Sequence, residues 1–338
     1  MPTVSVVVPT YKRAQYLGRM IDSVIAQTYT DWELIIVDGK SGDGTAELVE
    51  SYRKLLGDQI VFIEQDNAGC CIARNTGIDA ARGEFVALLD SDDEFLPTKL
   101  ERQMELFERQ PSLGFVYGDY SYVDLSGNFE ASMFDTKSKI ARTVPTDEIA
   151  PNLHVCTPDF FSYLLKEYFV ATIVGMVRRD VLADDIRFLE HDLYGCEWMF
   201  YLEIANRCPT GYVDEPLCLH HYVDGSLSRT SRTRNTIYHR RLLKTIFDRF
   251  PNLTEAQSQE VSQQLANTCR QLGYESYKAN EYGPAMGYFR EAMQARPSAA
   301  SAVHWAQSLL RRTITLNRPG NEPMLRNDAY RNPTCLTT

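Results

Sequence analysis

The sequence predicts an α/β fold, in which helices flank a wound sheet, followed by an all-α C-terminal region. Three observations lead to this prediction. Apolar β-branched runs alternate with segments of helical periodicity over about the first hundred residues, a pattern typical of strands joined by crossover helices. Two of these runs end in a carboxylate, at Asp38 and Asp90. From residue 235 onward, strand signals are absent and helix-forming residues dominate.

The elements of the first third follow one another at short intervals. Residues 4–8 are β-branched up to Pro9 and predict a buried strand that ends there. Apolar residues at helical spacing predict a helix over 17–25. The same alternation predicts strands at 34–37, 60–63 and 85–89, and helices at 47–55 and 72–81.

The pattern is looser after Pro97, where we expect a helix at 99–109, short strands within 115–123 and a polar stretch at 126–150. We therefore divide the chain into a first domain, a helical region and a tail. The first domain, 1–234, has a nucleotide-binding half at 1–110 and an acceptor half at 111–234. The helical region is 235–318, and the tail at 319–338 has no periodicity and is expected to be disordered.

The composition argues against several classes of protein. The chain has 338 residues, a formal net charge of −10 and 44% hydrophobic residues, as expected for a folded protein of about two domains. The acidic balance argues against a nucleic-acid partner. No apolar run approaches the ~20 residues that span a bilayer, and the first residues lack the features of a signal peptide. We expect a cytoplasmic protein, with a peripheral position at the inner face of the membrane as the alternative, and reduced thiols at all eight cysteines.

A group of carboxylates follows the fourth predicted strand, in the sequence Asp90-Ser91-Asp92-Asp93. Open α/β sheets bind ligands beyond the carboxyl ends of their strands, so the loops after Val8, Val37 and Leu89 should share one site. Hard divalent cations prefer carboxylate oxygens and bind together with substrate phosphates. The motif therefore suits a Mg²⁺ or Mn²⁺ ion that bridges to a diphosphate. The alternative is that Ser91 and one of the aspartates cap the next helix.

Five linked motifs place this group in a wider pattern. They occur in one order as 6-VVVPTYKR-13, 35-IIVDG-39 with Ser41, Asp43 and Thr45, 67-NAG-69, 73-ARNTG-77, and 83-GEF-85 leading to 89-LDSDD-93. This arrangement closely resembles the family 2 glycosyltransferases of the GT-A fold, over roughly the first hundred residues. The resemblance implies a nucleotide-binding mixed sheet flanked by helices. It also implies transfer of a sugar from a nucleotide donor with inversion at the anomeric carbon.

The resemblance also assigns site residues. It implies a nucleotide site formed by Pro9, Thr10, Tyr11, Arg13, Asp38, Arg74, Asp90 and Ser91. Within this set, Asp38 would contact the base or ribose, Arg74 would lie on the phosphate side, and Asp90 would face the ribose or donor sugar. Asp92 and Asp90 would hold the Mn²⁺ or Mg²⁺ ion. One residue departs from the family pattern, because Gly39 follows Asp38 where many members have a second aspartate. We expect a UDP-sugar donor, although the missing carboxylate weakens the argument for that base.

A general base must come from the second half of the first domain, because the acceptor hydroxyl loses a proton as it attacks the anomeric carbon. The segment around Glu197 resembles the family's acidic pair before a helix, with Cys196 at the position of the usual Glu. This alignment makes Glu197 the base and Asp192 the second candidate. The alternative for Glu197 is an ordinary carboxylate at a helix N-terminus, where the helix dipole favours it. His221 is a further candidate metal ligand, although a strand histidine is more often structural.

The C-terminal helices carry a second resemblance, to the tetratricopeptide repeat. The matching residues are Leu272, Gly273, Tyr282, Ala285, Phe289, Ala292 and Pro297. About three repeats are needed for an independent solenoid, so this single repeat needs support from neighbouring helices, the first domain, a second copy of the chain or another protein.

Two functions remain open from the sequence. The first is an inverting glycosyltransferase of cell-surface or capsular glycan synthesis, with a saccharide or lipid-linked saccharide acceptor. The second is a catalytically weakened scaffold that recruits partners through its helices, supported by Gly39 and Cys196 at the positions of two usual carboxylates. A Rossmann dehydrogenase is excluded, because Pro-Thr-Tyr follows the first strand in place of GxGxxG.

Overall fold

The computed structural model describes residues 1–183, 185–190, 195–223 and 232–316. The chain divides into two compact units, residues 1–229 and 230–338. No helix in the described ranges is both long and apolar enough to cross a bilayer.

The first unit begins with four parallel strands and the helices that connect them. The strands are β1 (Val4–Thr10), β2 (Trp32–Asp38), β3 (Ile60–Glu64) and β4 (Phe85–Leu88), in the spatial order β3-β2-β1-β4. The helices between them are α1 (Ala14–Ile25), α2 (Thr45–Leu56) and α3 (Cys70–Ala80). The wound parallel sheet predicted from the alternating pattern is therefore confirmed.

The first strand differs from its prediction at its end, because β1 continues through Pro9 to Thr10. Pro9 pairs with Val37 of β2, whereas the pairing with β4 reaches only as far as Val7. Because β4 does not extend to this level, the N–H that proline lacks is not needed for a second ladder. The strand therefore carries Thr10 to the edge of the sheet.

The remainder of the first unit extends this sheet with shorter elements. They are β5 (Glu94–Phe95), α4 (Lys99–Arg109), β6 (Phe115–Val123), β7 (Phe129–Glu130), α5 (Met133–Thr136), β8 (Thr146–Ala150), β9 (Leu153–Cys156), α6 (Phe160–Lys166), β10 (Met176–Arg178), α7 (Arg179–Leu182), α8 (Cys196–Ala205) and β11 (Thr210–His221). Within the part of the chain that the structure describes, the sheet has 11 strands, and its main path is β3-β2-β1-β4-β10-β6-β11-β9-β8. The predicted polar stretch at 126–150 contains two of these strands and a short helix.

The short strand β10 joins the two parts of the sheet. It pairs antiparallel with β4 on one side and antiparallel with β6 on the other. On the far side of β6, β11 runs parallel to it, with register shifts around Pro216. The sheet is therefore mixed, as the resemblance to the GT-A fold implied.

Among the described residues of the first unit, the core contains the amine of Lys99. Lys99 of α4 is fully buried, and its Nζ donates to Gln103 Oε1 at 2.6 Å and lies 4.2 Å from the centre of the Phe95 ring. Burial lowers the pKa of Lys99 to about 8. Gln103 Nε2 in turn donates to the carbonyls of Val116 and Val174. This network holds α4 against the strands that follow it.

The described part of the second unit is all-helical, as predicted. Its helices are α9 (Arg232–Arg249), α10 (Glu255–Lys278), α11 (Tyr282–Ala295) and α12 (Ala299–Leu316). Thr254 and Gln257 form a capping box at the start of α10. A side chain at Gly273 of α10 would place its Cβ 2.8 Å from the Phe289 ring. Ala285, Phe289 and Ala292 are fully buried, so small and large residues alternate where α10 and α11 pack.

Candidate active site

The loops that follow β1, β2 and β4 meet at the carboxyl edge of the parallel strands. The Gly39 amide donates to the Thr10 carbonyl at 3.0 Å, and the Lys12 amide donates to Ser41 Oγ at 2.7 Å. Arg19 of α1 donates to the Asp92 carbonyl at 2.8 Å. These contacts bring together the three loops that the sequence placed at one site.

Asp38 lies at the end of β2 and is only 2% exposed. Its carboxylate accepts hydrogen bonds from the Ser41 amide, at 2.9 Å, and from the Ser41 hydroxyl. The carboxylate therefore fixes the turn after β2. Its role toward a base or ribose remains a prediction.

The structure gives a steric reason for glycine at position 39, which the sequence did not show. A Cβ at this position would lie 3.0 Å from Cδ2 of Tyr11 and 3.2 Å from Cβ of Asn67. Such distances are tighter than normal packing allows, so any side chain would displace one of these neighbours. The absent second carboxylate is thus linked to the close approach of Tyr11.

Pro9, Thr10 and Tyr11, at the end of β1, have different environments. Pro9 is buried, and Tyr11 is 40% exposed at the surface of the loop. Thr10 is 5% exposed, and its hydroxyl has no hydrogen-bond partner among the described residues. A buried hydroxyl without a partner is costly, so Thr10 is suited to an incoming polar group. Arg13 precedes α1, and its charge partly offsets the rise in the pKa of Asp92 that burial and the neighbouring aspartates cause, which places Arg13 and Asp92 near each other.

Arg74 lies at the centre of the site and is 4% exposed. Its Nη2 lies 2.7 Å from Asp90 Oδ1, after β4, and its Nη1 lies 3.0 Å from Glu197 Oε1, in the first turn of α8. The guanidinium also lies over the Phe188 ring. The sequence predicted Arg74 on the phosphate side of a nucleotide. The structure shows Arg74 joining Asp90 to Glu197, the candidate base.

Glu197 and Asp192 were the two candidate bases. Glu197 follows the N-cap Gly195 of α8, and its side chain is 17% exposed. The carboxylate is therefore held by Arg74 while retaining access to solvent. Asp192 lies outside the described residues.

The carboxylate group after β4 concentrates negative charge. Burial, together with the neighbouring Asp93 and Asp90, raises the pKa of Asp92 to about 6. Ser91 is 6% exposed. The Asp90 carboxylate faces Arg74, whereas Arg19 donates its hydrogen bond to the backbone carbonyl of Asp92. A carboxylate held close to two others is suited to a cation.

Within the described ranges, no group of three His, Cys, Asp or Glu side chains is arranged to hold a metal ion. Metal ions that bind with substrate phosphates need only one or two protein carboxylates. Asp92 and Asp90 fit that donor set. His221 is directed elsewhere, because its Nε2 lies 2.6 Å from Glu94 Oε1 and that carboxylate also contacts Arg19.

Asp93 has a role that the sequence analysis missed. It is fully buried and lies 3.0 Å from His220 Nδ1, and it accepts a hydrogen bond from the His221 amide at 2.8 Å. Burial opposes the charged form of His220, but Asp93 outweighs this effect and raises the pKa of His220 to about 9. Asp93 thus links the loop after β4 to the end of β11. The adjacent histidines were a signal for this contact, but their partner is about 130 residues away.

Comparisons with known proteins agree with this geometry. Residues 5–168 match the model of the family described as "Glycosyl transferase family 2". A relative in Bacillus subtilis, named "Putative teichuronic acid biosynthesis glycosyltransferase TuaG", is 39% identical over 129 residues, which cover 37% of this chain and 50% of that protein. An uncharacterized glycosyltransferase of Haemophilus influenzae is 34% identical over 140 residues, covering 41% and 55%. The match thus spans about half the length of these relatives.

Solved structures share the fold at low sequence identity. TarS residues 1–349 from S. aureus has a TM-score of 0.64 and 17% identity, with 94% of this chain and 92% of that chain covered. A mannosyltransferase from Pyrobaculum calidifontis, solved with GDP-Man and Mn²⁺, has a TM-score of 0.53 and 18% identity, with 94% and 84% covered. The predicted fold class is confirmed. Over residues 5–168, the chain is similar to the glycosyl transferase family 2 domain.

Proposed function

We propose that the protein is an inverting glycosyltransferase that moves a sugar from a nucleoside-diphosphate sugar to an acceptor hydroxyl. One observation carries this proposal. Arg74 holds Asp90, at the end of β4, and Glu197, at the start of α8, in one buried cluster. The cluster thus joins a carboxylate on the donor side to a solvent-accessible carboxylate suited to accept a proton.

Inversion requires one displacement at the anomeric carbon. The attacking acceptor hydroxyl needs a base, and the departing diphosphate needs charge stabilisation. Glu197 takes the proton from the acceptor hydroxyl as the oxygen attacks. The guanidinium of Arg74 fixes the direction of that carboxylate, so the proton is accepted at a defined position. Positioning of this kind matters because errors of about 1 Å are costly.

The departing nucleoside diphosphate carries the developing negative charge. Asp92 and Asp90 would hold a Mn²⁺ or Mg²⁺ ion, which supplies Lewis-acid stabilisation of that diphosphate when bound. The Mn²⁺ in the Pyrobaculum mannosyltransferase structure supports this part of the proposal. Thr10 and Asp38 border the pocket of the nucleoside, and Thr10 offers its unpartnered hydroxyl to it.

For the donor, a UDP-sugar is the first choice. TarS from S. aureus was solved with UDP and with UDP-GlcNAc, and these structures cover 91–92% of this chain. The Bacillus relative's name refers to teichuronic acid biosynthesis. These similarities support a saccharide or lipid-linked saccharide acceptor and a role in cell-surface glycan synthesis.

The test is hydrolysis of UDP-GlcNAc and GDP-Man by the purified chain, with Mn²⁺, with Mg²⁺ and with EDTA. Each reaction is followed by the nucleoside diphosphate released, so no acceptor is required. We expect metal-dependent release from the UDP-sugar. Glu197→Gln should reduce turnover by about 10²–10⁴ while leaving UDP affinity unchanged.

The matched control is Glu203→Gln, which makes the same chemical change two turns along α8. Its turnover should equal that of the unmodified chain. Binding of UDP without any turnover, in every metal condition, would instead support the catalytically weakened scaffold. Normal turnover by Glu197→Gln together with an inactive Asp192→Asn would move the base to Asp192.

A further inference from the structure

Three cysteines lie where α3 begins and where α8 begins. Cys71 and Cys196 are 1% and 0% exposed, and their sulfur atoms are 2.8 Å apart although 125 residues separate them in the chain. Cys70 is half-buried, and Cys71 hydrogen-bonds to its sulfur. The helices α3 and α8, which carry Arg74 and Glu197, are thus in contact through these thiols.

The surroundings of Cys70 favour its thiolate. Arg74 Nη1 lies 3.9 Å from Cys70 Sγ, one helical turn further along α3. A guanidinium and a helix N-terminus both stabilise a thiolate, which is the reactive form of cysteine. Among these three sulfurs, the one with solvent access is therefore also the one beside a cation.

We propose that Cys71 and Cys196 form a reversible disulfide when the chain meets a hydroperoxide, and that Cys70 is the sulfur that the oxidant reaches first. This oxidation site is independent of the proposed transferase activity. It cross-links the helix that carries Arg74 to the helix that carries Glu197. Both residues of the ion pair are neighbours of the cross-link, at three positions after Cys71 and one position after Cys196.

The chemistry balances with hydrogen peroxide as the oxidant. The Cys70 thiolate attacks one oxygen, the O–O bond breaks, and a sulfenic acid forms on Cys70 as hydroxide leaves. The Cys196 thiolate then displaces hydroxide from Cys70 and forms a first disulfide. Attack of the Cys71 thiolate on Cys196 releases Cys70 as a thiolate. In total, two thiols lose two electrons and two protons, and one peroxide becomes two waters.

The test counts free thiols. The full chain is treated with a few equivalents of hydrogen peroxide, denatured in N-ethylmaleimide and weighed by mass spectrometry. We expect six labels in place of the eight of the reduced chain, and eight again after dithiothreitol. Trypsin should yield one cross-linked pair, residues 55–74 joined to 188–207. Eight labels after peroxide would overturn the proposal.

Single variants assign the sulfurs. Cys70→Ser should still form the cross-link between α3 and α8, but at least tenfold more slowly, whereas Cys196→Ser should form none. Cys71→Ser should stop at the Cys70–Cys196 disulfide. Cys218→Ser, a buried cysteine elsewhere in the sheet, should behave like the unmodified chain. A cross-link in the unmodified chain that maps to Cys70 and Cys196, with Cys71 carrying a label, would overturn the pairing. An unchanged rate in Cys70→Ser would overturn the route of entry.

A second measurement does not depend on labelling. Closing a loop of 125 residues restricts the unfolded chain strongly, so the oxidised protein should unfold about 10 °C higher than the reduced protein. Dithiothreitol should reverse the increase. Equal midpoints before and after oxidation, with the cross-link shown present, would contradict a cross-link that fits the folded site.

Discussion

Replacing Arg74 with methionine should destabilise the first unit more than any substitution of a surface arginine. Methionine keeps much of the volume but removes the cation from between Asp90 and Glu197, whose oxygens lie 2.7 and 3.0 Å from the guanidinium. Removing one partner of a buried ion pair costs about 3–5 kcal/mol. Both carboxylates keep some contact with water, at 29% and 17% exposure, so the lower end of this range applies. We expect a loss of about 3 kcal/mol.

The assay is urea unfolding followed by tryptophan fluorescence, in a Trp305→Phe background. Trp32 and Trp198 then report only on the first unit. With a slope of about 3 kcal/mol per molar urea, the midpoint should fall by about 1 M. The control is Arg53→Met, which removes an exposed pair with Glu50 and should cost less than about 1 kcal/mol.

A midpoint shift no larger than that of Arg53→Met would refute the assigned role of Arg74.

Further predictions concern other parts of the chain. Asp92→Asn should reduce metal-dependent donor hydrolysis by more than a hundredfold with little change in the urea midpoint; near-normal turnover would exclude Asp92 as a metal ligand. The pKa of Lys99 is about 8 when folded and 10.5 when unfolded, so the unfolded chain binds more protons between these values and the parent gains stability as pH rises. The Lys99→Met variant should lack this gain, so the difference in unfolding free energy between the parent and the variant should change by about 2–3 kcal/mol between pH 7.5 and 10.5. Parallel plots of unfolding free energy against pH would contradict the prediction. Gly39→Ala should weaken UDP binding in calorimetry by displacing Tyr11. Gly273→Ala should lower the unfolding midpoint of the second unit, followed by Trp305 fluorescence, because its methyl group meets an aromatic ring.

The sequence predicted those features that local pattern determines. Strands β1 to β4 and the helices between them follow from apolar periodicity, and the loops after Val37 and Leu89 follow from where the strands end. The packing of α10 on α11 was visible in the spacing of Gly273 and Phe289. These features depend on neighbours within a few residues, or on repeated spacing.

Long-range pairing was the part that sequence reasoning could not supply. Arg74 and Glu197 are 123 residues apart, and nothing local to either indicates the other. The same holds for Asp93 and His220, where a capping role for the aspartate was equally consistent with the sequence. The three-residue strand β10 is too short to give a periodic signal, although it joins the two parts of the sheet.

That short strand has a consequence for the order in which the protein can be made. The ribosome completes β4 at residue 88, but its outer neighbour β10 is synthesised about ninety residues later. Until then the first four strands present an unpaired edge, and such edges favour association with other chains. The first 110 residues therefore differ from a domain that folds as it emerges from the ribosome. A nascent chain stalled before Met176 should remain dependent on chaperones. Release from the chaperones should coincide with the synthesis of β10, Met176–Arg178.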